Sequence, residues 1–238
     1  MEKIAFIPAR SGSKRFPNKN VSLLGGKPLI VWTVEAFVKS SCFDRIIFSS
    51  DSIEYYEILK SYIKSDLIDF HERSNEEAGD KVKIFDYIKS NIDKWCSKED
   101  IFSLALPTCP FRNAEHVRKC LELYMKTGKS IFSACEYDFH VPFAFYLDGL
   151  ENKSKWKPAF ETSPMITGNT RSQDQIKYFH PNGAIYILKP NPFEKDPRTF
   201  YEDALPFIMS RVDSVDIDEK VDLQIADFIA SSKSISNK

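Results

Sequence analysis

Over the first 135 residues, short apolar runs alternate with amphipathic stretches, and this alternation limits the fold more than any other feature of the chain. The runs Ile4–Ile7, Arg45–Ser49, Leu67–Phe70, Ile101–Leu106 and Ser130–Cys135 are rich in Ile, Phe and Leu, as strands buried on both faces are. After Pro28, a good first-turn residue, Leu29, Val31, Trp32, Ala36 and Phe37 fall at helical spacing. Ser52 is expected to cap a helix over 53–63, and Val82, Phe85, Ile88, Ile92 and Trp95 repeat with the period of a third. Asn113 is expected to cap a fourth, with Val117, Cys120, Leu121, Tyr124 and Met125 on one face. Strand–helix alternation builds right-handed βαβ units, so the expected fold is α/β with a doubly wound, mostly parallel sheet.

The pattern breaks after Cys135. Residues 29–106 contain no proline, whereas 142–206 contain eight, interleaved with aromatic residues. The expected organisation is therefore a core of 1–138 and 181–231, an inserted arm over 139–180, and a frayed tail over 232–238. Ala184–Leu188 is the strand, and Val221–Ile229 the helix, with which the parallel core resumes. With 238 residues, 42% hydrophobic and 13% aromatic, the chain has apolar material for a packed core. Charge is balanced, 33 Lys+Arg against 34 Asp+Glu, which argues against a general nucleic-acid or membrane-surface binder. No apolar run approaches the ~20 residues of a membrane span, and Met1-Glu2-Lys3 leads straight into a strand without a leader, so a cytoplasmic protein is expected. Five cysteines without a C-x-x-C pair argue against a disulfide framework or a thiolate zinc site, and Cys109, with no His partner signalled nearby, reads as a small thiol beside a strand end rather than a nucleophile. The four histidines share no metal-ligand spacing.

One connection stands out. Residues 8–20, Pro-Ala-Arg-Ser-Gly-Ser-Lys-Arg-Phe-Pro-Asn-Lys-Asn, follow the first strand and are long against the usual βα loop of about 2–6 residues. Arg10, Lys14, Arg15 and Lys19 lie in it with no acidic residue, and three of the chain's eight glycines (Gly12, Gly25, Gly26) fall between the first strand and first helix. Gly and Ser leave backbone N–H groups available to wrap an anion, and the cations neutralise it, at the strand end where open α/β sheets bind ligands. A nucleoside triphosphate fits this chemistry. There is no G-x-G-x-x-G, and Val21 and Pro28 break a P-loop reading around Gly26-Lys27. Towards the other end, Asp216 and Asp218 alternate with Val215 and Ile217, so an extended backbone projects both carboxylates from one face. Such a pair suits Mg²⁺, which takes one or two carboxylates plus substrate phosphates; equally, Asp218 could cap the helix near Lys220.

Residues 7–20 resemble the N-terminal signature of the cytidylyltransferases that activate sialic acid and related nonulosonic acids as CMP-sugars. Further segments are similar in the same order: Phe43–Asp51, Arg73 to Asp80 with its Arg-x-x-x-x-Ala-x-Asp spacing, Pro107-Thr108-x-Pro110-x-Arg112, Thr170–Asp174, Asn182–Tyr186 and Ser214–Asp218. The resemblance implies a Rossmann-like nucleotidyltransferase fold with a small dimerisation arm, a homodimer, CTP and a nonulosonic acid as substrates, and Mg²⁺ at Asp216 and Asp218. It implies Arg10 and Lys19 on the triphosphate as catalytic residues with Asp216, and Ser13 and Lys14 as further phosphate contacts. Asn20, Arg73 and the backbone around Ala78 would recognise cytidine. Arg15 stands where sialic acid synthetases often have Gly, and its role on nucleotide or sugar stays open.

For the sugar, Arg171, Gln173 and Lys177 are candidates for its carboxylate and hydroxyls, with Tyr178, Phe179 and Tyr186 as an apolar wall. Leu106 replaces a Gln that often contacts the sugar, which makes the pocket more apolar, and Ser172 replaces an Arg. Thr170–Asp174 is similar to the pseudaminic acid branch and Asn182–Tyr186 to the sialic acid branch, so the sugar stays open. The alternatives are a 3-deoxy-manno-octulosonate cytidylyltransferase, whose loop usually lacks the Ser-Lys and Lys-Asn elements seen here, and a non-catalytic nucleotide-binding module.

Overall fold

A computed structural model describes residues 1–149, 155–188 and 200–236. In chain order the strands are β1 (Lys3–Pro8), β2 (Leu23–Leu24), β3 (Lys27–Pro28), β4 (Arg45–Ser50), β5 (Ile68–Glu72), β6 (Ile101–Leu104), β7 (Ile131–Glu136), β8 (Phe145–Leu147), β9 (Trp156–Pro158), β10 (Phe179–Leu188) and β11 (Leu205–Ile208). The α-helices are α1 (Leu29–Ser40), α2 (Ile53–Tyr62), α3 (Ile84–Asn91), α4 (Ala114–Thr127), α5 (Pro164–Thr167) and α6 (Lys220–Ser236). The chain divides into two compact units, Met1–Ala134 with Pro181–Lys238, and Cys135–His180.

The main sheet has seven strands in the order β11-β7-β10-β6-β1-β4-β5. β1 sits between β4 and β6, parallel to both, and β5 extends the parallel run beyond β4. The reason is legible in β1 itself. Ile4, Ala5, Phe6 and Ile7 are all fully buried; Ala5 and Ile7 join a core cluster with Val34, Phe37, Leu59 and Val117, while Ile4 and Phe6 join another with Tyr87, Ile88 and Trp95. Alternate residues thus face α1, α2 and α4 on one side and α3 on the other. On the second side Phe6 stacks on Trp95 at 4.6 Å between ring centroids, and Trp95 lies parallel to Phe102.

Local signals set the helix starts. The Ser52 side chain accepts from Tyr55 N, and Asn113 and His116 form a reciprocal capping box at α4. The parallel expectation fails at the returning strand: β10 pairs with β6 antiparallel, because apolar burial on both faces fixes that a strand is central and not which way it runs. β11 is an edge strand that the pattern did not mark; Pro206, tolerated at an edge, masks it. The expected tail is instead a continuation of α6 to Ser236, with 237 and 238 outside the described residues. Gly25 and Gly26, with φ of 56° and 78°, turn the β2–β3 hairpin and do not belong to the anion loop.

The second unit, Cys135–His180, has its own small sheet. β8 and β9 form an antiparallel hairpin, α5 is capped by Ser163, and Tyr137 N donates to Tyr178 O at 3.0 Å. Among the described residues no helix is long and apolar enough to cross a membrane.

Candidate functional site

Because β1, β4, β5 and β6 are parallel, their carboxyl ends share one edge of the sheet, and the connections leaving them meet there. They enclose a cavity lined by Arg10, Lys14, Arg15 and Lys19 from the first loop, Arg73 and Asp80 from the second, and Leu106–Thr108 from the third, with Asp218 arriving from the far end of the chain. All of its lining residues belong to the first unit.

The first loop is anchored rather than floppy. Ser11 donates from N and Oγ to the two Asp51 carboxylate oxygens at 2.8 and 2.7 Å, and Ser50 Oγ donates to Ala9 O at 2.7 Å. Ser13 N donates to Ser11 O, so the N–H groups of Ser11 and Ser13 are already engaged within the protein. Asn18 takes a left-handed backbone, φ 55°, which asparagine tolerates, and this starts the 3₁₀ turn Lys19–Val21 that buries Lys19 and Asn20. Asn20 Nδ2 then donates to Arg10 O at 2.9 Å.

Two carboxylates hold the four cations of this loop. Asp80 accepts from Arg10 Nη1 at 2.7 Å and pairs with Lys14 Nζ at 2.6 Å; Asp218 pairs with Arg15 Nη2 at 2.9 Å and Lys19 Nζ at 3.0 Å. The structure therefore brings the cationic loop and the Asp216–Asp218 segment together. Burial alone would raise the Asp218 carboxyl, but the bonds and charges of Lys19 and Arg15 hold it below the usual carboxylate range. At Asp216 the balance is reversed. It is open to solvent on one side, yet burial pushes its carboxyl up, and the charge of Asp218 adds to this against the hydrogen bond from Thr108.

Arg73 is buried, with its guanidinium 4.4 Å from the Tyr87 ring centre and Nη2 donating to Glu77 O; burial lowers its pKa. Arg73 Nε and Asn20 Oδ1 have no hydrogen-bond partner among the described residues. In the backbone around Ala78, the Ala78 carbonyl accepts from Arg10 Nη1 at 3.3 Å, and Gly79 lines the cavity. Leu106 is seated by Gly183: Leu106 N donates to Gly183 O at 3.1 Å, and a Cβ on Gly183, whose φ is 73°, would lie 3.0 Å from Leu106 Cδ1.

The expected sugar contacts divide. Tyr186 is not a wall residue: it is 6% exposed and packs edge-on against Phe85 and near Phe200 in the core. Its alternation partner in the strand, not its hydroxyl, decides its place. Arg171, Gln173, Lys177 and Phe179 belong to the second unit. There Lys177 pairs with Glu136 at 3.0 Å, Arg171 Nε lies 3.7 Å from Asp174, and Phe179 is exposed. The sequence reading missed Asp51, Asp80 and Thr108 as parts of the site. The Arg-x-x-x-x-Ala-x-Asp spacing contained Asp80, but nothing in a polar run signals which distant cation an acid will meet.

Among the described residues no group of three or more His, Cys, Asp or Glu could hold a metal by itself. Asp216 and Asp218 supply hard oxygens, so a cation here would draw its remaining ligands from a bound phosphate and water.

A family model described as Cytidylyltransferase matches residues 4–94, which covers the first loop, Arg73 and Asp80. The chain is 32% identical over 232 residues to an N-acylneuraminate cytidylyltransferase of Escherichia coli O18:K1:H7, covering 97% of this chain and 52% of that protein, so it spans about half the relative's length. It is 29% identical to a CMP-N,N'-diacetyllegionaminic acid synthase of Legionella pneumophila, covering 93% of each. A pseudaminic acid cytidylyltransferase of Campylobacter jejuni is also 29% identical, with 95% of each covered. In fold, it is similar to a CMP:2-keto-3-deoxy-manno-octonic acid synthetase complexed with CTP, with a TM-score of 0.68, 14% identity, and 98% and 100% of the two chains covered. The anchored basic loop on a parallel sheet and these matches along nearly the whole length lead to one conclusion: the chain is similar to cytidylyltransferases.

Proposed function

We propose that the protein transfers CMP from CTP to a nonulosonic acid. The hydroxyl oxygen on the sugar's anomeric carbon forms a bond to the α-phosphorus, the bond from that phosphorus to the β-bridging oxygen breaks, and pyrophosphate leaves while the hydroxyl proton is lost. The observation that carries this reading is the meeting of the four loop cations and Asp218 at one cavity on the carboxyl edge of the sheet. Phosphoryl-type transfer depends on positioning and charge neutralisation, and that is what this arrangement offers.

In this reading Arg10, Lys14 and Lys19 exchange their carboxylate partners for phosphate oxygens, Ser13 adds a contact, and the charge growing on the departing pyrophosphate falls against Arg10 and Lys19. Asn20 Oδ1 and Arg73 Nε, unpaired among the described residues, are the polar atoms offered to the nucleoside. Asp216 and Asp218 would hold Mg²⁺: one carboxylate carries a charge its surroundings disfavour, which a divalent cation relieves, and the donor set fits. Bound there, the ion would polarise the α-phosphate and favour ionisation of the attacking hydroxyl. On the acceptor side we assign the sugar's carboxylate and hydroxyls to Arg171, Gln173 and Lys177, with Phe179 as an apolar contact. The names of the relatives span sialic, legionaminic and pseudaminic acids. Leu106 on the cavity wall suits an acceptor with fewer hydroxyls.

The test is pyrophosphate release from CTP and Mg²⁺ with each of these three sugar acids and with 3-deoxy-manno-octulosonate. Turnover with at least one nonulosonic acid, at least about tenfold faster than with the octulosonate, is expected; release with none would overturn the assignment. We further propose a cytosolic homodimer. Among the described residues the five cysteines form no disulfide. In the second unit Phe145, Tyr146, Leu147 and Trp156 are each about half exposed on one two-stranded hairpin, a concentration of aromatic surface that a monomer rarely leaves wet. Light scattering is expected to give about twice the 27.4 kDa of one chain, and Trp156→Ser to lower it; a monomeric wild type would refute the dimer.

A further inference from the structure

Arg112 is 2% exposed and has no ion-pair partner among the described residues. A buried guanidinium is expensive unless its protons and its charge are met. Its protons go to two places. Nη2 donates to Leu106 O, and Nη1 to Thr33 Oγ1 on α1 at 2.5 Å. Nε is left without a partner among the described residues. Burial pulls the guanidinium down to about 10, against the opposing charge of Asp216, so it remains a cation at neutral pH.

What Arg112 grips is the turn that carries Asp216. Leu106 N donates to Gly183 O at 3.1 Å, so the start of the turn is held from two sides. Two residues on, Thr108 O accepts from Ile217 N at 2.8 Å and the Thr108 side chain hydrogen-bonds Asp216. Cys109 Sγ also reaches Asp213 O at 3.6 Å. The Asp216–Asp218 segment lacks regular secondary structure of its own, and its neighbours hold it through this turn.

We propose that Arg112 is a positioning residue: by clamping the Leu106–Thr108 turn between α1 and the returning strand, it fixes Asp216 and so sets how tightly the nucleotide-loaded site takes a divalent cation. Arg112 does not line the cavity. The proposal rests on the reading of Asp216 as a metal ligand under CTP-dependent transfer.

The test uses Mn²⁺ as the probe ion. Its binding to the full chain with CTP present is followed by the loss of the free-ion electron paramagnetic resonance signal, beside CTP binding in EDTA and thermal unfolding. Arg112→Gln is expected to weaken Mn²⁺ binding at least about tenfold, Arg112→Lys to recover part of it, and CTP affinity in EDTA to stay within about twofold. Should Arg112→Gln not fold, Thr33→Val, which removes one acceptor of the clamp, and Thr108→Val, which removes the hydroxyl bond to Asp216, are each expected to weaken Mn²⁺ binding about threefold or more. Unchanged Mn²⁺ binding in variants that only melt lower would overturn the proposal, as would an equal loss of CTP affinity in EDTA. A wild type that binds Mn²⁺ with CTP yet releases no pyrophosphate with any sugar would instead overturn the function and leave the role of Arg112 standing.

Discussion

Replacing Lys19 by Ala is expected to lower kcat/KM for CTP by about 10²–10³, the cost of removing one preorganised charged donor from a largely dry site. The size follows from burial. The Lys19 side chain is 11% exposed, whereas that of Lys14, on the same loop, is 82% exposed. A charge held away from solvent acts on a phosphate with little screening, while an exposed one is worth little more than an ordinary surface pair. Lys14→Ala is therefore expected to change the same constant only about fivefold or less. Steady-state pyrophosphate release with CTP varied checks both. Equal effects of the two substitutions would mean that burial does not order these cations, and unchanged kinetics in Lys19→Ala would remove it from the site. The variant should fold, because the 3₁₀ turn that buries position 19 is set by Asn18 and by the Asn20 bond to Arg10 O, neither of which uses the ammonium.

That loop also marks what a sequence can and cannot disclose. Its length, its single sign of charge and its place after β1 were legible because each is local. The same holds for the both-face burial of β1 and for the caps Ser52 and Asn113, where one residue type at one position carries the physics. What was illegible is relational. Nothing within Phe179–Leu188 tells that it runs against β6 rather than with it. Tyr186 looks amphipathic and suited to a pocket wall, but alternation along β10 sends it into the Phe85–Phe200 cluster. Asp80 and Asp51 look like solvated acids until the fold brings Arg10, Lys14 and Ser11 to them. Arg112 stood inside a matched motif, yet its burial against Thr33 depends on a helix about eighty residues earlier. Gly25 and Gly26 show the opposite error: a local signal read for a distant purpose, when a two-residue hairpin turn explains both.

Asp216 and Asp218 are expected to respond differently to the same substitution, and the difference separates ligand from anchor. Asp216→Asn should abolish most turnover, by about 10³ or more, since a metal at a transferring phosphate supplies several kcal/mol and each ~1.4 kcal/mol is tenfold. CTP affinity should change little, because Asp216 holds none of the loop cations. Asp218→Asn should also lose turnover, but its removal releases Lys19 and Arg15 from a competing carboxylate, so CTP affinity measured in EDTA is expected to rise. Stability supplies a second sign. A carboxyl raised in the folded state contributes stability below its unfolded pKa and loses it as pH climbs through the folded value, so at neutral pH the ionised Asp216 opposes folding. Asp216→Asn is therefore expected to melt slightly higher than wild type in EDTA at pH 7, with the difference shrinking as pH falls. Asp218 is lowered, so its ionised form stabilises the fold at neutral pH, and Asp218→Asn should melt slightly lower, by the small amount that half-exposed pairs contribute. If Asp216→Asn both melts lower and turns over normally, Asp216 is a structural acid, and the place of the metal must be sought elsewhere on the cavity wall.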